Sequence, residues 1–146
     1  MFLKRAFVGA EAYSEATRLK IEKLLDIDVY NSYGLSEMNG PGVAFECLCK
    51  NGMHIWEDAF IAEIIDPESG ELLSDGQKGE LVLTTLEREA VPLIRYRTGD
   101  ITAFKRSSCD CGRTHRRLER IRGRSDDMMI INGVNIFPSQ IEAVLM

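Results

Sequence analysis

Turn chemistry cuts the middle of the chain into short pieces, and this constrains the fold more than any other feature. Asp66-Pro67-Glu68-Ser69-Gly70 and Ser74-Asp75-Gly76 combine a proline that presets φ with glycines that accept positive φ, so no helix runs through them. Around them lie short apolar runs in alternation: Met53 to Trp56, Ala59 to Ile65, Glu80 to Leu86, Leu93 to Arg97, Ile101 to Phe104 and Arg116 to Ile121. The pattern predicts an antiparallel, barrel-like β subdomain over residues 40–122.

The two ends have a different texture. Phe2 to Gly9 predicts a strand, and Asp28 to Ser32 a second one. Between them Ser14 to Leu25 predicts a helix, with Ser14 as N-cap and an apolar stripe through Ala16, Leu19, Ile21, Leu24 and Leu25. Residues 1–39 thus read as a β-α-β unit whose parallel strands belong to a larger sheet covered on both faces. Gly123-Arg124-Ser125-Asp126-Asp127 is a polar linker. Residues 128–146 then form a hairpin turning at Asn132-Gly133 and a short helix opened by Pro138. The fold class is α/β.

An apolar fraction of 45% suffices for one core. No window reaches the roughly 20 apolar residues that a membrane helix needs, and no signal-peptide pattern opens the chain. A cytoplasmic protein without a membrane partner is expected, and its four cysteines are expected to stay reduced. They form two Cys-x-Cys pairs, each trailed by a histidine: Cys47, Cys49 and His54, then Cys109, Cys111 and His115. Thiolates with imidazole suit tetrahedral zinc, and buried thiols without a metal are the other reading. Lys105 to Arg124 carries eight basic residues against two acidic ones within a chain of net charge −5. Together with the paired cysteines, this keeps open a zinc-ribbon-like nucleic-acid-binding or interaction module.

Tyr33-Gly34-Leu35-Ser36-Glu37 follows a predicted strand, where open α/β sheets place their ligands. An aromatic ring, a hydroxyl and a carboxylate at that place suit a base, a phosphate and Mg²⁺ respectively. Further on come Gly79 to Thr84, then Arg95-Tyr96-Arg97-Thr98-Gly99-Asp100, then Gly123 to Asp127 ahead of Gly133-Val134-Asn135. This ordered set resembles the consecutive signatures of adenylate-forming enzymes. Gly40 to Val43, His54 to Asp58 and Gly133 to Glu142 make the resemblance that of the phenylacetate–CoA ligase family, over nearly the whole chain.

The resemblance implies a part of an ATP-dependent ligase that joins an aryl carboxylic acid such as phenylacetate to coenzyme A through an aryl-adenylate. In its terms residues 1–39 end the large adenylating domain, residues 123–127 are a hinge centred on Asp126, and residues 128–146 begin a small C-terminal domain. Tyr33, with Gly34, would pack on the adenine of ATP or AMP. Ser36 would contact the phosphate or acyl carboxylate, and Glu37 would bind Mg²⁺. Asp100 would hold the ribose hydroxyls, Arg124 would reach nucleotide oxygens, and Gly9, Ala10 and Glu11 would line the adenine and acyl pockets. A structural zinc is implied around Cys47, His54, Cys109 and Cys111, with Cys49 and His115 as substitutes. No nucleic-acid partner is expected, and the full-length enzyme is compatible with a homodimer. Gly99 follows the broader superfamily rather than the arginine of many phenylacetate enzymes, which leaves the acyl substrate open. The chain holds no Ser/Thr/Gly-rich phosphate loop followed by a lysine, and the catalytic lysine implied by the resemblance lies beyond Met146. The chain alone is therefore expected to be inactive.

Overall fold

The computed structural model describes residues 2–11, 13–38, 40–127, 129–131 and 134–145. It opens with strand β1 (Arg5–Val8), helix α1 (Glu15–Leu25) and strand β2 (Asp28–Leu35). β1 and β2 are parallel, with Arg5 opposite Asp28. Ser14 caps the helix, its hydroxyl accepting from the Thr17 N–H, and Asp26 ends it in the left-handed region at φ 52°. The Glu22 carboxylate then accepts from the Val29 N–H at 2.8 Å and from Lys50 Nζ at 2.6 Å, which fixes the path from helix to strand.

After a short 3₁₀ turn at Ser36–Met38 come β3 (Gly40–Glu46), β4 (Met53–Ile55), β5 (Phe60–Ile65), β6 (Gly79–Thr85), β7 (Tyr96–Thr102) and β8 (Arg117–Leu118). β3 escaped the sequence reading because Gly40-Pro41-Gly42 looks like a turn. One sheet has the order β1-β2-β3-β4-β8 and a second the order β5-β6-β7. The expected barrel does not close: both sheets keep two edges, and a bridge between Phe104 and Leu118 links them instead. The core lies between them and includes Val43, Ile55, Ile64, Leu81, Leu83, Phe104 and Leu118.

The two strands expected at Leu93–Arg97 and Ile101–Phe104 are largely one, β7, interrupted by a bulge. Val82 opposes Arg97 while Glu80 opposes Ile101, so Thr98, Gly99 and Asp100 face Leu81 alone. Gly99 permits this with φ 78°, a conformation that disfavours any Cβ. Strands β9 (Met129–Ile131) and β10 (Val134–Ile136) pair antiparallel ahead of helix α2 (Pro138–Leu145). The turn expected at Asn132-Gly133 lies outside the described residues.

The apolar stripe of α1 is not spent on this core. Leu19, Leu24 and Leu25 are exposed, and the buried side chain of the helix is Arg18, which pairs with Glu15 and Glu46. Phe7 on the edge strand β1 is exposed as well. No described helix is long and apolar enough to cross a membrane.

Candidate nucleotide cleft and cysteine cluster

A cleft of about 1230 Å³ opens where β1, β2 and the β7 bulge converge, and Gly9, Ala10, Glu11, Tyr33, Gly34, Ser36, Glu37, Asp100 and Arg124 all line it. Asp126 does not, whereas Asp127 does. The turn after β1 passes close to β2: a Cβ on Gly9 would meet the Ser32 carbonyl oxygen at 2.5 Å. Ala10 turns there with φ 73°.

Tyr33 is only 8% exposed, so its ring forms part of the wall rather than projecting into the cleft. Its hydroxyl donates to Asp100 Oδ2 at 2.5 Å. The β2–β3 register slips between Tyr33 and Leu35, and the chain then turns so that Ser36 and Glu37 stand exposed at the rim. Arg88 donates to the Glu37 carbonyl, which ties that rim to the loop after β6.

Asp100 owes its position to the bulge. Thr98 donates through Oγ1 to the Leu81 carbonyl at 2.9 Å and accepts from the Asp100 N–H at 3.1 Å. The buried Glu80 carboxylate accepts from the Gly99 N–H at 3.1 Å and from both Nε and Nη2 of Arg97. Burial raises the Asp100 carboxyl above its ordinary value, while the Tyr33 hydrogen bond and the nearby Arg124 charge act the other way. Burial, then the Asp100 charge, push the Tyr33 phenol upward.

Residues beyond Glu119 run alongside β7, with Ile101 N–H donating to the Gly123 carbonyl and Ser125 N–H to the Gly99 carbonyl. This brings Arg124 to Asp100, Nη1 lying 3.6 Å from Oδ1. The guanidinium also donates to Asp126 through Nε and Nη2 at 2.8 and 2.9 Å, and to the Thr98 carbonyl at 3.1 Å. Sequence reasoning passed over Glu80, although it stands inside a flagged motif, because a lone acid in a strand has no spacing signal. It also passed over Arg120, whose Nη1 donates to the Tyr13 carbonyl at the cleft wall. Half of the eight basic residues in the stretch from Lys105 to Arg124 are paired on site: Arg116, Arg120, Arg122 and Arg124 pair with Asp75, Glu15, Glu119 and Asp126.

On the far side of β3 and β4 a second constellation forms. Cys47, His54, Cys109 and Cys111 bring one donor atom each within 4.8 Å of one another. Cys47 Sγ lies 3.6 Å from Cys109 Sγ, and Cys111 Sγ lies 3.4 Å from His54 Nε2. A zinc tetrahedron with bonds of about 2.0–2.3 Å has edges of roughly 3.3–3.8 Å, and these two spacings match such edges. His54 Nδ1 is 3.3 Å from the His115 carbonyl; a proton held there leaves the Nε2 lone pair free to bind a cation among the sulfurs. Without a cation, burial pushes the Cys47 thiol up to about 12, while the Arg113 N–H draws Cys111 down to about 7. Cys49 is exposed, and His115 meets the cluster through its carbonyl while its ring lies against Trp56.

Comparison with known proteins finds no matching family model. The chain is 52% identical over 145 residues to a phenylacetate–coenzyme A ligase of Thermus thermophilus, covering 99% of this chain and 33% of that protein. It is likewise 52% identical over 141 residues to the phenylacetate–coenzyme A ligase of Escherichia coli, with 96% and 32% covered. The chain therefore spans about a third of the length of the curated relatives it matches. Among solved structures, 2-hydroxyisobutyryl-CoA ligase in its postadenylation state with an acyl-AMP superposes with a TM-score of 0.90 at 35% identity, over 98% of this chain and 31% of that one. The same ligase in its thioesterification state, with acyl-AMP and CoA, gives 0.79 over the same shares.

Proposed function

We propose, from the premise that this chain belongs to the phenylacetate–coenzyme A ligase family over the third of their length that it spans, that it supplies the ribose-facing wall and hinge of an aryl-acid ligase. The reaction is the formation of an aryl-adenylate from ATP and an acid such as phenylacetate, followed by transfer to coenzyme A. What carries the reading is that nine residues singled out in the sequence, scattered from Gly9 to Arg124, line one cleft.

Asp100 accepts from the ribose hydroxyls, a task for which a carboxylate has two acceptor oxygens. Arg124 reaches nucleotide oxygens from the same side. Tyr33 closes the adenine pocket with Gly34, while Gly9, Ala10 and Glu11 line its continuation toward the acyl group. Ser36 and Glu37 stand at the rim, where Ser36 contacts phosphate or carboxylate and Glu37 holds Mg²⁺. That cation would neutralise phosphate charge as pyrophosphate leaves. Asp126 is the pivot between half-reactions. The fall in TM-score from 0.90 to 0.79 between two states of one neighbour supports a geometry nearer the postadenylation arrangement.

The cysteine cluster is a structural zinc site made by Cys47, His54, Cys109 and Cys111. Its donor set and spacing support this, and none of its four ligands lines the cleft. The chain by itself binds ATP weakly and does not adenylate, because affinity needs contacts that the remaining two thirds of the relatives contribute. The test uses the intact enzyme: Asp100→Ala should lower pyrophosphate exchange by about 10²-fold or more, as loss of a charged positioning contact does. Unchanged exchange would remove Asp100 from the nucleotide site.

A further inference from the structure

Arg117 is a buried cation without a buried anion. It is 2% exposed, and its guanidinium donates only to neutral groups: Nη1 to the Asn51 carbonyl at 2.5 Å, and Nη2 to the Ser107 carbonyl at 2.5 Å, the Ser107 hydroxyl at 3.2 Å and the Ser108 carbonyl at 2.8 Å. Its neighbours Arg116, Arg120 and Arg122 each pair with a carboxylate, but among the described residues none pairs with Arg117. Removing a guanidinium from water with only carbonyl partners is costly unless opposite charge lies nearby.

The position of Arg117 indicates where that charge sits. It pairs across strands with His54, and Ser108, whose carbonyl it grips, directly precedes Cys109. Three thiolates and one neutral imidazole around a divalent cation leave one negative charge. We propose that Arg117 is the charge partner of the cysteine cluster, balancing the single negative charge of a loaded Cys₃His zinc site. The inference rests on the zinc reading above and adds a positioning residue to it. Arg113 also reaches the cluster, its side chain hydrogen-bonding Cys111, but it is exposed, so water screens its charge.

The balance gives the site a preference. A divalent cation on three thiolates is electrically matched by Arg117, whereas without the cation the hydrogen-bond partners of the guanidinium among the described residues are all neutral. Metal and arginine therefore stabilise one another, and neutralising position 117 weakens metal binding while leaving the four ligands in place.

The experiment measures zinc affinity of the purified chain by competition with a chromogenic chelator, for the parent, Arg117→Lys and Arg117→Gln. Gln keeps hydrogen-bond donors and loses the charge; Lys keeps the charge and loses the fork. Arg117→Gln is expected to bind zinc about 10–100-fold more weakly, with Arg117→Lys much nearer the parent. X-ray absorption of the loaded parent is expected to count three sulfurs and one nitrogen. A parent that takes up no zinc overturns the zinc reading itself. Zinc binding by the parent with equal affinity in Arg117→Gln overturns the charge role alone, as do equal losses in Lys and Gln or a count of two sulfurs. If Arg117→Gln is unfolded without metal, recovery only at about tenfold or more of the zinc that folds the parent supports the proposal. Recovery at the parent's concentration, or at none, overturns it.

Discussion

Asp100 serves two neighbours before any nucleotide arrives. One oxygen receives the Tyr33 hydroxyl at 2.5 Å and the other faces Arg124 at 3.6 Å, so in the proposed role ribose hydroxyls would share a carboxylate already oriented. Burial raises its pKa, and the sign of the consequence follows: the folded state holds the proton more firmly, so this group's contribution to stability is present below the ordinary carboxylate range and lost as pH rises through the raised value. The proposed ribose binding would need the ionised form and so gain in the same direction that stability loses. In the intact enzyme, Tyr33→Phe removes a bond that favours the carboxylate. The acid limb of kcat/KM for adenylation should therefore move to higher pH, with a smaller change at alkaline pH; an unmoved limb would show that Asp100 does not titrate there. The identities of these two residues were legible in the sequence through ordered motifs. Their hydrogen bond was not, because Tyr33 and Asp100 are 67 positions apart and no local pattern reports a contact between two sheets. Glu80 and Arg117 went unread for the same reason, each being a charge whose partners are set by tertiary packing.

The bulge in β7 is the element on which the cleft depends. Gly99 stands at φ 78°, and a Cβ there would come within 2.8 Å of Arg124 Nη2. Gly99→Ala should cost about 1–2 kcal/mol for the left-handed backbone alone, read as a lower urea midpoint with unchanged slope. A variant as stable as the parent would mean that the bulge relaxes to another register. Sequence periodicity found the β region and the β-α-β opening, yet it split β7 at this bulge and passed over β3, since glycine and proline there read as turn chemistry. The linker after the bulge makes its own claim. Asp126 holds the Arg124 fork and, as the proposed pivot, would also change its backbone angles. The two roles separate in the intact enzyme by comparing Asp126→Ala with Asp126→Pro. Both should lower adenylation alike through the lost fork, and Pro should further suppress thioester formation by about tenfold or more because its φ is locked. Equal thioester rates in the two would remove the pivot.

At the scale of the molecule, Leu19, Leu24 and Leu25 of α1 and Phe7 of β1 are exposed, apolar surface of an α/β unit that the described residues leave uncovered. The chain spans a third of its relatives, and the leucines of the helical stripe read from the sequence are among that exposed surface. The two sheets, by contrast, close their own core. The cysteine cluster ties the β3–β4 region to the loop between β7 and β8, for Cys47 and Cys109 are 62 residues apart while their sulfurs are 3.6 Å apart. A cation held there behaves as a reversible cross-link, and the entropy of closing so long a loop is a cost that folding otherwise meets at its barrier. If thiols capture zinc while the chain is still open, that cost is met early: refolding from urea should be faster with equimolar zinc than with chelator. If capture comes only after the sheets have formed, zinc should leave the refolding rate alone and slow unfolding instead. Stopped-flow traces in both directions, with Cys109→Ser as the uncross-linked control, tell whether the clasp is fastened before the garment or after it.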